Sequence, residues 1–120
     1  MLTEVRCAMR NDIVLVPFPF DDLSSTKLRP ALCLTDSVGT YEHVVVAFIT
    51  SQISKTAESS DLHIIATDDD FQRTGLKVSS SIRLHRLVTV PVGLIQRRLG
   101  VLSPSYRSAL VAKLKTLFAL

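Results

Sequence analysis

An arginine and a histidine lie two residues apart in a segment of alternating character. From Ser81 to Val90, large apolar residues recur at every second position, which predicts a β-strand. Residues two apart share a face, so Arg83 and His85 are expected to be neighbours, while Arg86 interrupts the apolar face. Histidine transfers protons near neutral pH, and arginine stabilises phosphorane charge although it hardly deprotonates. The pair is typical of a metal-free RNA-cleavage site, although a solvent-facing strand with two polar residues explains it equally well.

The segment before Pro30 concentrates hydroxyl groups and cations. It contains Ser24, Ser25, Thr26, Lys27 and Arg29. Hydroxyls and cations in one short loop suit a phosphate. Proline restricts the preceding residue to extended conformations, which gives Arg29 a defined direction as it enters the sheet. From the residues alone, an ordinary solvated loop is the favoured interpretation and a phosphate-binding loop is the alternative.

A polar, uncharged triplet follows the almost wholly apolar run that ends at Ile49. Its members are Thr50, Ser51 and Gln52. Hydroxyl and amide groups at the end of a strand can bind a phosphate oxygen or a base edge. The alternative is that Thr50 satisfies a backbone group where the strand ends.

The patterns that indicate other chemistries are missing from the sequence. No cluster has the spacing of metal ligands, and there is no glycine-rich phosphate loop or nucleophile elbow. His43 and His63 have no ligand partner at a useful spacing, and the acidic run from Asp68 to Asp70 is typical of a solvated turn. Aromatic residues make up 6%, too few for a base-stacking platform. We therefore expect neither a metal nor another cofactor.

The net charge of +3 conceals a strong asymmetry along the chain. Residues 1–70 carry all eleven acids and five of the Lys and Arg residues, a net charge of −6. Residues 71–120 carry nine Lys and Arg residues and no acid, a net charge of +9. Such a basic half favours a polyanionic partner, either nucleic acid or an acidic protein segment. Ion pairing with the acidic half across the fold is an equally good explanation.

Short apolar runs between turn residues predict an antiparallel β-protein. The predicted strands are Asp12 to Pro17, Ala31 to Thr35, His43 to Ile49, Asp61 to Ile65 and Ser81 to Val90, with a short element over Leu94 to Leu99. Ser103 and Pro104 predict the N-cap and first residue of a helix. Its predicted apolar face comprises Leu110, Val111, Leu114, Leu117 and Phe118. Without a βαβ order, a barrel-like sheet with a terminal helix is favoured.

The chain length of 120 residues predicts one domain, over residues 11–120, after an N-terminal extension of residues 1–10. No run is long and apolar enough for a membrane span or a signal peptide, so we expect a cytoplasmic protein. Cys33 lies in an apolar stretch and is expected in the core, whereas Cys7 lies in the extension. The two cysteines do not form a disulfide framework, although one bridge between them is an alternative.

Three segments together resemble the MazF/PemK family of toxins. Residues 11–23, with Pro17-Phe18-Pro19-Phe20, and the following Arg29-Pro30-Ala31-Leu32 resemble the opening of these toxins. The strand end Ile49-Thr50-Ser51-Gln52 resembles the second motif. Ser81-Ile82-Arg83-Leu84, followed by Arg97-Arg98-Leu99-Gly100, resembles the third. The resemblance covers residues 11–120, and the order and spacing of the segments make it specific.

The resemblance implies an SH3-like barrel of the CcdB/MazF/PemK type that forms a homodimer. It also implies a sequence-specific endoribonuclease that cleaves single-stranded RNA by attack of the 2′-OH, and an antitoxin partner with an acidic, disordered tail. By resemblance, the catalytic residues are Arg29, Thr50, Arg83 and His85. The RNA-binding residues are Ser24, Ser25, Lys27 and Gln52, of which Ser24 or Ser25 is the loop serine of the family.

His85 departs from the family pattern, because several members carry an aspartate at this position. Histidine can serve as the base in its place. Alternatively, the change weakens catalysis, which would leave a catalytically silent barrel that binds RNA or protein. A gyrase poison of the CcdB type shares the fold, but those proteins use a C-terminal tryptophan, and this chain has none.

Overall fold

The computed structural model describes residues 9–18, 27–53 and 57–120, which form a curved antiparallel sheet and a terminal helix. The six-stranded sheet has the order β4-β5-β3-β2-β1-β6 and forms a half-barrel. Its strands are β1 (Asp12–Phe18), β2 (Lys27–Cys33), β3 (His43–Thr50), β4 (Asp61–Ile64), β5 (Ser80–Pro91) and β6 (Arg97–Val101), and the helix is α1 (Pro104–Phe118). Short 3₁₀ turns span Phe71–Thr74 and Val92–Leu94. The predicted fold class is confirmed.

Strand β2 begins at Lys27 rather than at Ala31, where apolar character predicted its start. Residues 27–30 pair only with β1, and pairing with β3 begins at Ala31. This segment is exposed on the hairpin, so its polar side chains gave no apolar signal. Pro30 is compatible with the strand because the side of this segment away from β1 has no partner strand among the described residues. Arg29 therefore belongs to the sheet rather than to a loop.

Strand β5 contains an irregularity that reverses its alternation. Ala47 of β3 pairs with Leu87, whereas the next residue, Phe48, pairs with Arg83. The residues between the two pairing positions, Leu84, His85 and Arg86, therefore have no counterpart on β3. The predicted apolar face of Ile82, Leu84, Val88 and Val90 is consequently wrong beyond Leu84: Leu87 packs inward and Val88 is exposed. An odd number of extra residues exchanges the two faces of a strand, and composition does not reveal it.

The sheet buries apolar side chains on both of its faces. One core cluster contains Val14, Val16, Ala31, Cys33, Val44, Val46, Val90, Val92 and Ile95. The other contains Ile13, Leu32, Ala47, Ile49, Leu62, Ile64, Phe71, Ile82, Leu84, Leu102 and Leu110. We call these the first face and the second face. Strand β3 supplies both clusters through alternate residues, which explains why its sequence is almost wholly apolar.

Helix α1 begins as predicted, with Ser103 as N-cap and Pro104 as the first helical residue. Its first turn contains no acidic residue, but the acidic turn before β5 supplies two carboxylates. Asp68 accepts a hydrogen bond from the Tyr106 hydroxyl, and Asp70 accepts one from Ser105 Oγ at 3.0 Å. Burial and the bond to Asp68 raise the pKa of Tyr106. These carboxylates also complement the positive end of the helix dipole.

The predicted apolar face of α1 is only partly buried. Leu110 is in the core and Leu114 packs against it, but Val111, Leu117 and Phe118 are exposed. The apolar face predicted from the periodicity is therefore buried only in the first half of the helix, which lies over the sheet cluster. Across the described ranges, no helix has the length and apolar character needed to cross a membrane.

Cys33 is a free thiol that is fully buried in the first cluster. Burial, with a smaller contribution from the Asp12 carboxylate, raises its pKa from 9.0 to about 12. We expect iodoacetamide at mildly alkaline pH to label Cys33 only after unfolding, because the thiolate is the nucleophile. Peptide mass spectrometry measures the labelling, and rapid labelling of folded Cys33 would contradict this prediction.

The folded state keeps the thiol proton of Cys33 to higher pH than the unfolded state does. The free energy of unfolding should therefore fall as pH rises from about 9 toward 12.

Gly100 of β6 lies so close to the backbone of the 3₁₀ turn at Phe71–Thr74 that there is no space for a side chain. A Cβ at this position would lie 2.2 Å from the carbonyl oxygen of Arg73, whereas a Cβ at Gly93 would have nothing within 4 Å. We expect Gly100→Ala to lower the free energy of unfolding by about 2 kcal/mol, and Gly93→Ala to change it by less than about 1 kcal/mol. Guanidinium unfolding measures both values, and an equal effect of the two substitutions would refute the close approach.

Candidate nucleic-acid interface

The ends of β3 and β5 place several of the predicted site residues on the first face of the sheet. Thr50 pairs with Ser81, and Phe48 pairs with Arg83, so all four belong to one face. Thr50 and Arg83 are diagonal neighbours in this arrangement, which typically separates Cα atoms by about 7–8 Å, within reach of a long side chain. The hydroxyl of Ser81 is buried and has no hydrogen-bond partner in the described part of the chain.

Arg29 approaches the same corner from β2. Pairing between β2 and β3 ends at Ala31 and Phe48, and a continuation of this register by two residues places Arg29 opposite Thr50. Alternation from Ala31 assigns Arg29 to the first face, and the residue is exposed. The sheet therefore brings Arg29, Thr50 and Arg83 to one corner. The pairing of their strands was not predictable from the sequence alone.

Strand β4 adds a buried carboxylate next to Arg83. Asp61 pairs with Arg83 in the β4–β5 register and is 3% exposed. Its Oδ1 lies 3.5 Å from Nε of Arg83 and 3.9 Å from Nδ1 of His85. Ser60 Oγ lies 3.5 Å from the same histidine nitrogen. We call Ser60, Asp61, Arg83 and His85 the Asp61 cluster.

Beside this corner, the end of the sheet carries a cleft of about 360 Å³, which we call the end cleft. Its polar or charged lining residues are Arg29, Thr50, Ser51, Gln52, Lys77, Ser80 and Arg97. Its other lining residues are Leu15, Pro30, Ile49, Gly75, Leu76, Val78 and Leu99. Among the described residues, the lining includes three cations and no carboxylate. An apolar floor with a cationic rim suits a nucleotide, because the floor can contact a base while the rim holds phosphate.

The end cleft reaches residues of both faces because it lies at the end of the strands. Pro30 and Ile49 belong to the second face, and Arg29 and Thr50 belong to the first. Thr50 Oγ1 accepts a hydrogen bond from the Gln52 backbone nitrogen at 3.1 Å, so the threonine does satisfy a backbone group. Its hydroxyl proton can still be donated to a ligand.

Arg97 and Lys77 line the end cleft but were not among the predicted site residues. Arg97 pairs with Leu15 across β6 and β1, which positions it at the cleft, whereas the adjacent Arg98 binds Asp12 with a 3.0 Å separation between Nε and Oδ1. The basic second half of the sequence contained the signal for both residues. It did not distinguish the arginine that forms an ion pair from the one that lines the cleft.

The structure places the predicted residues in two adjoining groups. Arg29, Thr50 and Gln52 line the end cleft. Arg83 and His85 do not line it and belong to the Asp61 cluster, which is linked to the cleft through the position of Thr50. Lys27 is exposed at the start of β2 and is not a lining residue. Ser24 and Ser25 lie outside the described residues, as do Cys7 and most of the predicted N-terminal extension.

Arg86 lies beside the Asp61 cluster and contacts an aromatic ring. Its guanidinium carbon is 5.2 Å from the centroid of the Phe48 ring. This stacking holds one more cation near the corner of the sheet. Within the described ranges, no three His, Cys, Asp or Glu side chains are grouped so that they could hold a metal ion.

Comparison with known proteins identifies the class of molecule that carries this fold and site. The model of the family described as PemK-like, MazF-like toxin of type II toxin–antitoxin system matches residues 9–118. The chain therefore belongs to this toxin family. The comparison with curated protein sequences finds no match.

Solved structures of mycobacterial toxins share the fold. A toxin of Mycobacterium tuberculosis, MazF-mt6, is 25% identical with a TM-score of 0.69, over 91% of this chain and 97% of that chain. An endoribonuclease in complex with its cognate antitoxin, from mycobacterial species, is 13% identical with a TM-score of 0.68, over 95% of each chain. A further mycobacterial endoribonuclease is 14% identical with a TM-score of 0.66, over 95% of this chain and 93% of that chain. The mostly β fold with a terminal helix is thus that of MazF toxins.

Proposed function

We propose that this toxin is a sequence-specific endoribonuclease that cleaves single-stranded RNA by attack of the 2′-OH on the adjacent phosphate. The observation that carries the proposal is the end cleft, whose lining among the described residues has three cations and no carboxylate, next to the polar corner of Thr50 and Arg83. Cations on such a lining attract RNA phosphates, and bases can lie on the apolar floor. Mycobacterial proteins that share the fold are endoribonucleases, which agrees with the proposal.

The proposed roles follow from the position of each group. Arg29 and Arg83 approach the corner from β2 and β5, the two strands that flank β3, and stabilise the negative charge that develops on the phosphorane. Thr50 donates a hydrogen bond to a phosphate oxygen or to the attacking hydroxyl. His85 accepts the 2′-OH proton, because imidazole is the side chain suited to proton transfer near neutral pH. These groups provide charge stabilisation and proton transfer without assigning any step to a metal.

Gln52, Lys77 and Arg97 extend the surface along the RNA. Gln52 lies at the same strand end as Thr50 and offers both donor and acceptor groups to a base edge. Lys77 and Arg97 offer charge to the flanking phosphates. Lys27, the first residue of β2, and Ser24 and Ser25, which precede it in the sequence, are retained as further RNA-binding candidates. In this arrangement, contacts with bases in the cleft provide sequence selectivity. Contacts between the cations and phosphates provide affinity that does not depend on the RNA sequence.

The proposed protein partner is a cognate antitoxin that carries an acidic, partly apolar segment. One structural neighbour is held in complex with its cognate antitoxin. An acidic segment lying in the end cleft would satisfy the same cations as RNA and would exclude RNA by occupying its site. By membership of the family, we also propose that the toxin acts in the cytoplasm as a homodimer.

Purified protein is expected to cleave a mixed-sequence single-stranded RNA in EDTA and to leave 2′,3′-cyclic phosphate and 5′-hydroxyl ends. Arg29→Ala should lower the rate by about 10²-fold or more, because phosphorane charge loses a stabilising cation. His85→Ala should lower it by about 10²-fold, because the proton acceptor is lost. Gel electrophoresis measures the rates, and mass spectrometry identifies the end groups.

The matched control is Arg10→Ala, which removes an exposed arginine that does not line the end cleft. This variant should keep the parent rate. A folded parent protein that cuts no RNA across diverse sequences would refute the nuclease proposal. A parent that needs a divalent metal would refute the metal-independent mechanism.

Arg97→Ala is expected to weaken binding of a non-cleavable, 2′-deoxy single strand and to reduce the salt dependence of that binding. Loss of one phosphate contact should lower the slope of log affinity against log salt by about 1. Fluorescence anisotropy over a salt series measures the slope. Arg10→Ala serves again as the control, and an unchanged slope in Arg97→Ala would show that Arg97 does not contact the strand.

A further inference from the structure

Beside the proposed site, Asp61 carries a deeply buried carboxylate. RNA binding does not require such burial. Its side chain is 1% exposed, beside Arg83 with 11% exposure. A negative charge would repel an RNA phosphate, so the carboxylate is not suited to bind the substrate directly. Burying an ion is costly unless it is paired, so its neighbours must be held in place around it.

The two oxygens of Asp61 face different partners. Oδ2 accepts a hydrogen bond from the Glu58 backbone nitrogen at 2.9 Å, which fixes the orientation of the carboxylate. Oδ1 is shielded from solvent and accepts no hydrogen bond within the described residues. It lies at ion-pair distances from Arg83 Nε and His85 Nδ1. One oxygen therefore anchors the group to its loop while the other faces both proposed catalytic side chains.

We propose that Asp61 is a positioning residue of the RNA-cleaving site, which holds Arg83 and orients the ring of His85. This inference rests on the proposed function. Because Nδ1 of His85 faces Asp61 Oδ1 and Ser60 Oγ, the proton of the neutral ring resides on Nδ1. Nε2 then has a lone pair available to accept the 2′-OH proton. Asp61 thus acts through the tautomer of His85 and the placement of Arg83, without touching the substrate.

The charges around His85 come from three elements. Its own strand supplies Arg83 and Arg86, and the segment before β4 supplies Glu58 beside Asp61. From α1, Lys113 donates a hydrogen bond to the Ser59 carbonyl at 2.9 Å. Of these groups, the Asp61 carboxylate is the one that faces Nδ1 of the ring, so it is the group placed to orient His85.

The test is Asp61→Asn. Asparagine keeps the shape of the side chain but replaces one hydrogen-bond-accepting oxygen with a donating NH₂ group. If the amide oxygen keeps the bond from Glu58 nitrogen, the amide NH₂ replaces Oδ1 and faces Arg83 and His85. The NH₂ group repels the guanidinium and donates to Nδ1, so the ring should change to the tautomer protonated on Nε2. The matched control is Asp36→Asn. Asp36 Oδ1 likewise accepts a hydrogen bond from a backbone nitrogen, that of Arg10 at 2.9 Å, but Asp36 is exposed.

Two readouts are measured on the full chain. Nitrogen-15 chemical shifts of the imidazole report which nitrogen carries the proton, with the His85 signals assigned by comparison with His85→Gln. We expect an Nδ1-protonated neutral ring in the parent and Asp36→Asn, and an Nε2-protonated ring in Asp61→Asn. The cleavage rate of single-stranded RNA should fall by about 10²-fold in Asp61→Asn and stay at the parent value in Asp36→Asn.

The outcomes separate this inference from the proposed function. An Nε2-protonated ring in the parent overturns the positioning role, and this result does not depend on whether Asp61→Asn folds. A folded Asp61→Asn with the parent tautomer and parent cleavage rate also overturns it. If the parent cuts no RNA but shows the expected tautomer change, the nuclease proposal fails while the arrangement of Asp61 and His85 stands.

Discussion

The exchange of faces within β5 is the constraint on which the corner of the sheet depends. Leu84, His85 and Arg86 lie between the residues that pair with Ala47 and Phe48. Before this point, Ile82 and Leu84 pack on the second face, and after it Val90 packs on the first. The same strand therefore serves both clusters, as a curved half-barrel requires. Within the irregular segment, Leu84 is buried, whereas His85 and Arg86 are exposed.

The irregularity also connects charge to architecture. Arg86 stacks on Phe48, and His85 faces Asp61 on the neighbouring strand. Arg83 lies at the pairing position where β5 resumes its regular register with β3 and β4. Cations of the basic half are thereby divided between one group paired with a buried carboxylate and another that lines the end cleft. The Arg83–Asp61 pair agrees with ion pairing across the fold as one explanation of the charge asymmetry, and the polyanionic partner stays a prediction.

Strand segments and the start of α1 were predictable because their signals are local. Alternating or continuous apolar runs marked β1, β3 and β4, and Ser103 with Pro104 marked the helix. The early start of β2 was missed because exposed polar residues carry no apolar signal. The exchange of faces in β5 was missed because it depends on pairing partners rather than on composition. The burial of only part of α1 was missed because periodicity defines a face without showing what covers it.

Part of the site was predictable for a similar reason. Arg29 stood directly before Pro30 and Thr50 stood at the end of an apolar run, and the family resemblance predicted that both belong to one site. Asp61, Lys77 and Arg97 carried no comparable signal, because their importance arises from long-range neighbours. Asp61 of β4 pairs with Arg83 on the adjacent strand β5, and Arg97 is placed at the cleft by its pairing with Leu15. Contacts between residues far apart in sequence are decided by register, which a single sequence does not encode visibly.

A crystal structure of the parent protein with a non-cleavable, 2′-deoxy strand of the cleaved sequence would show whether RNA binds at this corner of the sheet. We expect a phosphate within hydrogen-bonding distance of Thr50 and between Arg29 and Arg83, with flanking nucleotides in the end cleft beside Arg97. A strand bound elsewhere, for example against Arg107 and Lys113 of α1, with the end cleft vacant, would contradict it.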